Sequence, residues 1–237
     1  MIALRNVVKS IGNGPRRRDL LAETNFVFSE SRMGLAIGSS EEAEIIMDLL
    51  CGNLAPERGA IWRDGRPSWP IGRTGQYRAD LTGRITLHFL AAAYNLKFRD
   101  CENILFDLVD IHEYYNKAMI NWPRNLMLEF SYATALMPTF DIYLVESSIS
   151  TSNDVFNADF ESAFEQRING KQLIYYSTSG RFLQRFVKKT ASLLDGHFCV
   201  FEEAEDALRA VELAGPGASQ IAPPERASEN NFDLNDI

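Results

Sequence analysis

Gly34-Leu35-Ala36-Ile37-Gly38-Ser39-Ser40-Glu41-Glu42-Ala43-Glu44-Ile45-Ile46-Met47-Asp48-Leu49-Leu50 is the stretch that decides the fold of this chain. The apolar run Gly34 to Ile37 reads as a strand that stops at a tight turn, Gly38-Ser39-Ser40. Ile45, Ile46, Leu49 and Leu50 then fall at i, i+1, i+4 and i+5, one buried stripe of a helix. Gly52 and Pro56 end it. Strand, glycine turn and helix form the frame of a phosphate-binding loop. Its working form is G-x-x-x-x-G-K-[ST]: amides cradle phosphate, lysine reaches the terminal phosphates, and the hydroxyl binds Mg²⁺. Here Gly38 stands first, but Ala43 takes the second glycine, Glu44 the lysine and Ile45 the hydroxyl.

Outward from that stretch the chain reads as mixed α/β. Ile2 to Val8 reads as an edge strand, Asn25 to Ser29 as a second strand and Trp62 to Arg66 as a strand with a turn. Leu87 to Leu136 carries helical stripes, Ile104-Leu105-Leu108-Val109-Ile111 and Leu126-Met127-Phe130-Ala133. Asp141 to Glu146 and Gln172 to Tyr176 read as buried strands, and Arg181 to Lys188 as a helix. Leu193 to Phe198 reads as a hairpin on Asp195-Gly196, and Ala204 to Leu213 as a last helix. The expected organisation is one unit over 1–213, a helical lobe at roughly 85–140, and a disordered polar tail at 214–237.

Composition narrows the function. Of 237 residues, 46% are apolar and 24% charged, enough for a sizeable core. The formal charge of −8 argues against nucleic acid as a partner, and Arg16-Arg17-Arg18 reads as a solvated loop. Cys51, Cys101 and Cys199 are scattered and odd in number, which makes no disulfide framework or zinc site. His88, His112 and His197 share no metal spacing, and His88 reads as a hydrogen-bonded core residue. No window reaches the ~18 uninterrupted apolar residues of a membrane span.

A resemblance sharpens the reading. Ser68-Trp69-Pro70-Ile71-Gly72 followed by Leu81-Thr82-Gly83-Arg84 resembles the SWPxG…LTGR stretch of the ATP-binding subunits of capsular polysaccharide export ABC transporters. Leu4 to Ser10, Gly59 to Gly65, Tyr143 to Glu146, Thr178-Ser179 with Phe182 to Phe186, and Leu194-Asp195-Gly196 are similar to that family's other motifs. The likeness spans residues 1 to about 213. It implies an ABC-type P-loop nucleotide-binding-domain fold with an inserted helical subdomain.

The resemblance also implies a lost site. Gly38, Ser39 and Ser40 keep the turn, but the adenine-stacking aromatic falls at Ile11 and the Walker A lysine at Glu44. The Mg²⁺ hydroxyl falls at Ile45 and the glutamine that senses metal and membrane subunit at Arg78. The signature falls at Pro123-Arg124-Asn125-Leu126-Met127. The Walker B aspartate becomes Glu146, the catalytic glutamate Ser147, the D-loop aspartate Asn153 and the switch histidine Thr178. Family members use ATP and Mg²⁺; for this chain no cofactor is expected. A unit charge pair at ~4 Å is worth about 4 kcal/mol at an effective dielectric near 20, so reversing lysine to glutamate weighs heavily against a triphosphate. Ser39 and Glu42 have capping-box spacing, which leaves two readings of the acids: the helix supplies its own anion where others hold phosphate, or the glutamates take an unusual ligand such as a cation.

The implied function is a degenerate, non-catalytic ATP-binding-like subunit of capsular polysaccharide export, peripheral at the cytoplasmic face of the inner membrane. Trp122, Tyr114, Tyr115 and Phe130 read as packing of the lobe; its expected partners are a transmembrane permease, docked there through Trp122, Tyr114 and Tyr115 as well, and a second copy or a competent subunit. One alternative is a residual ATP-hydrolysing subunit with Glu146 on Mg²⁺. Another is a regulatory interaction protein that has left the transporter.

Overall fold

A computed structural model describes residues 1–73, 77–146 and 150–215, the side chain of Arg16 aside. In chain order, β1 (Ile2–Ile11), β2 (Arg18–Phe28) and β3 (Arg32–Ala36) lead into α1 (Ser40–Cys51), β4 (Arg58–Arg63) and β5 (Pro67–Ile71). Then come α2 (Gly83–Ala93), α3 (Phe98–Leu108), α4 (Arg124–Ala135), β6 (Ile142–Val145) and α5 (Asp154–Arg167). β7 (Gln172–Tyr176), α6 (Gly180–Phe186), β8 (Lys189–Leu194), β9 (His197–Phe201) and α7 (Ala204–Ala214) complete the described chain. Ser147 and the tail beyond residue 215 lie outside the described residues.

The strands form two sheets. One is antiparallel with order β2-β1-β4; the other has order β5-β6-β7-β3-β8-β9, parallel except for the last hairpin. β1 therefore runs in the middle of its sheet, not at an edge, because β2 and β4 pair with its two sides. Its neighbours come from residues 18–28 and 58–63, and such pairing is invisible to a local pattern.

The parallel strands β6 and β7 are apolar at nearly every position because both their faces are covered. Ile142, Leu144, Ile174 and Tyr176 pack with α1 and the antiparallel sheet. Tyr143, Val145, Leu173 and Tyr175 face the core shared with α2 to α5. Each large apolar side chain so sealed contributes about 1.5–3 kcal/mol. Gly34 lets β3 approach β8: a Cβ there would stand 2.6 Å from Thr190 Oγ1.

α1 begins where Ser39 Oγ accepts the Glu42 N–H at 3.2 Å and ends at Gly52, whose φ of 94° is left-handed. The closing hairpin turns on Asp195 and Gly196 with φ of 46° and 80°, a type I′ geometry.

α5 has no counterpart in the sequence reading. Its apolar stripe is one residue wide, Phe156, Phe160 and Phe164, among Asp, Glu, Asn and Gln. All three rings are sealed, stacked at 5.8 and 5.5 Å.

In the helical block Trp122 and Tyr115 are core residues, 7% and 5% exposed, and not a docking surface. Each finds a partner for its polar end: Trp122 Nε1 donates to the Lys117 carbonyl at 3.0 Å, and the Tyr115 hydroxyl to Glu102 at 2.8 Å. Tyr114 is half-buried against the same core. His88 is the converse correction: it is exposed, resting on the Phe98 ring at 4.9 Å. Among the described residues no helix is long and apolar enough to cross a membrane, and no cluster of metal-ligating side chains occurs.

Candidate functional site

The N-terminus of α1 points out of the sheet beside the C-terminal ends of β3, β6 and β7. Open α/β sheets receive ligands at such ends. Ser40 and Glu44 are exposed there, while Ala43 is sealed and Ile45 is half-buried against the core. Gly38 is exposed, and a Cβ on it would stand 3.3 Å from Glu42 Oε2. The Glu42 carboxylate thus lies over the glycine turn. Arg18 of β2 pairs with it. Only half of the capping box forms: Ser39 caps Glu42, but the Glu42 carboxylate goes to Arg18.

A second ion cluster lies along the same helix. Arg73 follows the SWPIG motif directly. Its Nε donates to Glu146 Oε2 at 3.0 Å, its Nη1 to Asp48 at 2.8 Å and its Nη2 to the Glu44 carbonyl at 3.3 Å. Nη2 also reaches Glu146 Oε2 at 2.5 Å. Burial pushes the Glu146 carboxyl up; Arg73 draws it back, and Glu44 and Asp48 add to the rise. Burial works against the charge of Arg73, yet its bonds to Glu146 and Asp48 outweigh that and hold its pKa above the ordinary value. A guanidinium cannot be deprotonated here, so the cluster keeps a permanent cation on the Glu146 carboxylate. Arg73 was not singled out from sequence; its position after Gly72 is the only signal.

Glu146, Ser40 and Thr178 share one open cleft of about 430 Å³, with Arg124 and Tyr132 of α4 on its wall. Tyr176 lines it too. Burial pushes the Tyr176 phenol up, and the neighbouring Ser40 hydroxyl draws it part of the way back. The fold therefore brings together Ser40, Glu44, Glu146 and Thr178 from the predicted set, with Gly38, Ser39, Ala43 and Ile45 on the adjoining turn and helix. Ile11 ends β1 opposite Arg18 and packs on the core. Arg78 is exposed and forks onto Asp80 at 2.7 and 3.1 Å. Neither lines the cleft. At the signature positions Pro123 precedes α4 and the Asn125 amide reaches Ser152. Asn153 caps α5, accepting the Phe156 N–H at 3.1 Å.

The residues present do not fit Mg-ATP. Near the start of α1 Glu44 presents a carboxylate, the glycine turn is covered by that of Glu42, and Glu146 is held by Arg73. An octahedral Mg²⁺ needs a carboxylate free to coordinate and phosphate oxygens beside it.

The architecture is that of an ATP-binding cassette, a P-loop α/β core with an inserted helical lobe. An ATP-binding subunit of an ABC transporter superposes with a TM-score of 0.68 at 16% identity, covering 91% of this chain and 95% of that one. The ATP-binding cassette MJ0796, bound to ADP and Pi, gives 0.67 at 13% identity over 85% and 98%.

Among curated proteins, the chain is 21% identical over 208 residues to the capsule polysaccharide export ATP-binding protein CtrD of Neisseria meningitidis serogroup B, covering 87% of this chain and 96% of that protein. It is 22% identical over 189 residues to the polysialic acid transport ATP-binding protein KpsT of Escherichia coli, covering 78% and 86%. It is 20% identical to the ATP-binding protein BexA of Haemophilus influenzae, covering 87% and 96%. No protein-family model matches the chain.

Proposed function

We propose that this chain is a cassette-type subunit of a polysaccharide export system that does not turn over ATP. The relatives supply the system; the site chemistry supplies the inactivity. One observation carries the second half: Arg73 ties Glu146 to Asp48 beside a helix whose lysine position is Glu44. Phosphoryl transfer rests on positioning and on stabilising developing negative charge. The internal cation is spent on carboxylates, and Glu44 opposes phosphate.

The working unit is residues 1–213 with a lobe at 85–140, acting at the cytoplasmic face of the inner membrane. Its partner there is a transmembrane permease. The exposed apolar side chains for that contact are Ile85 and Phe89, one turn apart on α2, and Ile120; they are 52%, 73% and 72% exposed. They replace Trp122 and Tyr115 as the proposed docking residues. The segment carrying Ile120 is tied to the chain around Arg78, since the Ile120 N–H donates to the Ala79 carbonyl at 2.7 Å.

Cassettes of this kind work as head-to-tail pairs. A mixed pair with a competent subunit would complete neither site, because Glu44 spoils one and Pro123-Arg124-Asn125 the other. The chain therefore acts as a brake or scaffold. Co-expression with a competent subunit and its permease tests this. ATPase activity should fall as the dose of this chain rises, and activity that climbs with dose would overturn the brake.

A further inference from the structure

We infer that the cleft at the end of β6 and β7 is a binding site for a small neutral polyhydroxyl ligand of monosaccharide size. The inference rests on the reading that nucleotide does not occupy this end of the sheet. Its volume, about 430 Å³, lies in the range of small-molecule pockets, about 300–1,000 Å³.

The first observation is Tyr176. Its residue is 6% exposed, it lines the cleft, and its hydroxyl is buried near the Ser40 hydroxyl without a hydrogen bond of normal geometry to it or to any other described residue. A buried hydroxyl left unpaired costs free energy that a bound hydroxyl would return. The second is Arg124 at the start of α4. It lines the cleft, is exposed, and has no partner among the described residues. Its planar fork matches a pair of adjacent ligand hydroxyls. The third is Glu146: Arg73 takes Oε2, and nothing among the described residues is bonded to Oε1. The cleft is thus lined by one charged acceptor and one charged donor, with the hydroxyls of Ser40 and Thr178 able to donate or accept. Leu128 and Tyr132 add an apolar wall against which a ring's C–H face can rest.

Charge selects the class. Glu44 is exposed and close enough to act on the Glu146 carboxylate, and Glu42 covers the turn with Arg18 as its counter-ion. Arg73 is already bound by Glu146 and Asp48. Arg124 is thus the single unspent cation among the lining residues, and it shares that lining with the Glu146 carboxylate. An anion gains little there, and a polyol gains partners for donors and acceptors alike.

Ligand-observed saturation-transfer NMR on the full chain tests the site. The probes are methyl glucoside, methyl galactoside and N-acetylglucosamine, with glucuronate and inorganic phosphate as charged controls. At least one neutral sugar should receive saturation, and Arg124→Ala and Tyr176→Phe should each weaken it about tenfold. Tyr176→Phe removes a buried hydroxyl that makes no hydrogen bond of normal geometry, so its melting temperature should hold or rise, which separates lost binding from lost folding. No saturation of any neutral sugar, saturation unmoved by both variants, or preference for glucuronate or phosphate would overturn the inference. Displacement of the sugar by Mg-ATP would leave the cleft in place and overturn the non-nucleotide reading instead.

Discussion

The buried side of α1 and its exposed first turn belong to one helix and obey different demands. Ala43, Ile46, Met47, Leu49 and Leu50 are sealed between two sheets, as a cassette core requires. On the other side Glu41, Glu42 and Glu44 stand where a triphosphate would need a cation. Packing accepts any apolar residue of fitting volume; phosphate chemistry accepts few residues at few places. A fold and the site it carries can therefore vary apart, and this end of the helix has its own ion pairs, Arg18 on Glu42 and Arg73 on Glu146.

The contrast can be broken at its buried side first. Leu49→Ala should cost about 2–5 kcal/mol, since a sealed leucine leaves both its transfer energy and a cavity behind. Urea denaturation reads it, and a loss well under 1 kcal/mol would mean α1 is not a keystone of the core it shares with the two sheets.

Arg73→Leu should come next, at about 3 kcal/mol, because it strands Glu146 and Asp48 beside Glu44. Its pH dependence sharpens the point. Glu146 has a raised pKa in the folded chain, so the folded state holds its proton longer than the unfolded one. Its contribution is favourable at low pH and is lost as pH rises through the folded value. Removing Arg73 raises that value further. The variant's deficit should therefore shrink on acidification, and a deficit independent of pH would contradict the assigned ion cluster.

Smaller still is Ser39→Ala, which removes one cap and should cost about 1 kcal/mol by the same denaturation. Arg78→Ala should leave the midpoint unchanged, as its bond to Asp80 is fully exposed. A measurable drop would place Arg78 in a contact outside the described residues.

Much of the scaffold was legible because its signals are local. The glycine turn at 38, the capping serine at 39 and the Asp195-Gly196 hairpin each announce themselves within a few residues. Ile45 is the instructive half-success: it lies on the predicted stripe yet stays half-buried, since the sealed face is centred on Ala43 and Met47. α5 escaped because Phe156, Phe160 and Phe164 make too narrow a stripe among polar neighbours. Trp122 and Tyr115 do pack the lobe as their apolar rings suggest, but the docking role added to them fails, since their polar ends find partners inside, at Lys117 and Glu102.

The site was half legible. Glu44, Glu146 and Thr178 follow from motif positions, but Arg73 is one more loop arginine until the fold sets it against Glu146, 73 residues away. Tyr176 ends an apolar run that reads as core, and only the unpaired hydroxyl marks it. Long-range ion pairs and orphan polar atoms are products of tertiary structure and leave no periodicity behind.

The most direct test of the central claim is the thermal stability of the chain with and without millimolar Mg-ATP. A ligand at 100 times its dissociation constant adds about 2.7 kcal/mol, a shift of several degrees in a domain of this size. With Glu44 at the lysine position and Arg73 on Glu146, the melting temperature should not move, with or without Mg²⁺. A clear upward shift that needs both ATP and Mg²⁺ would contradict the account.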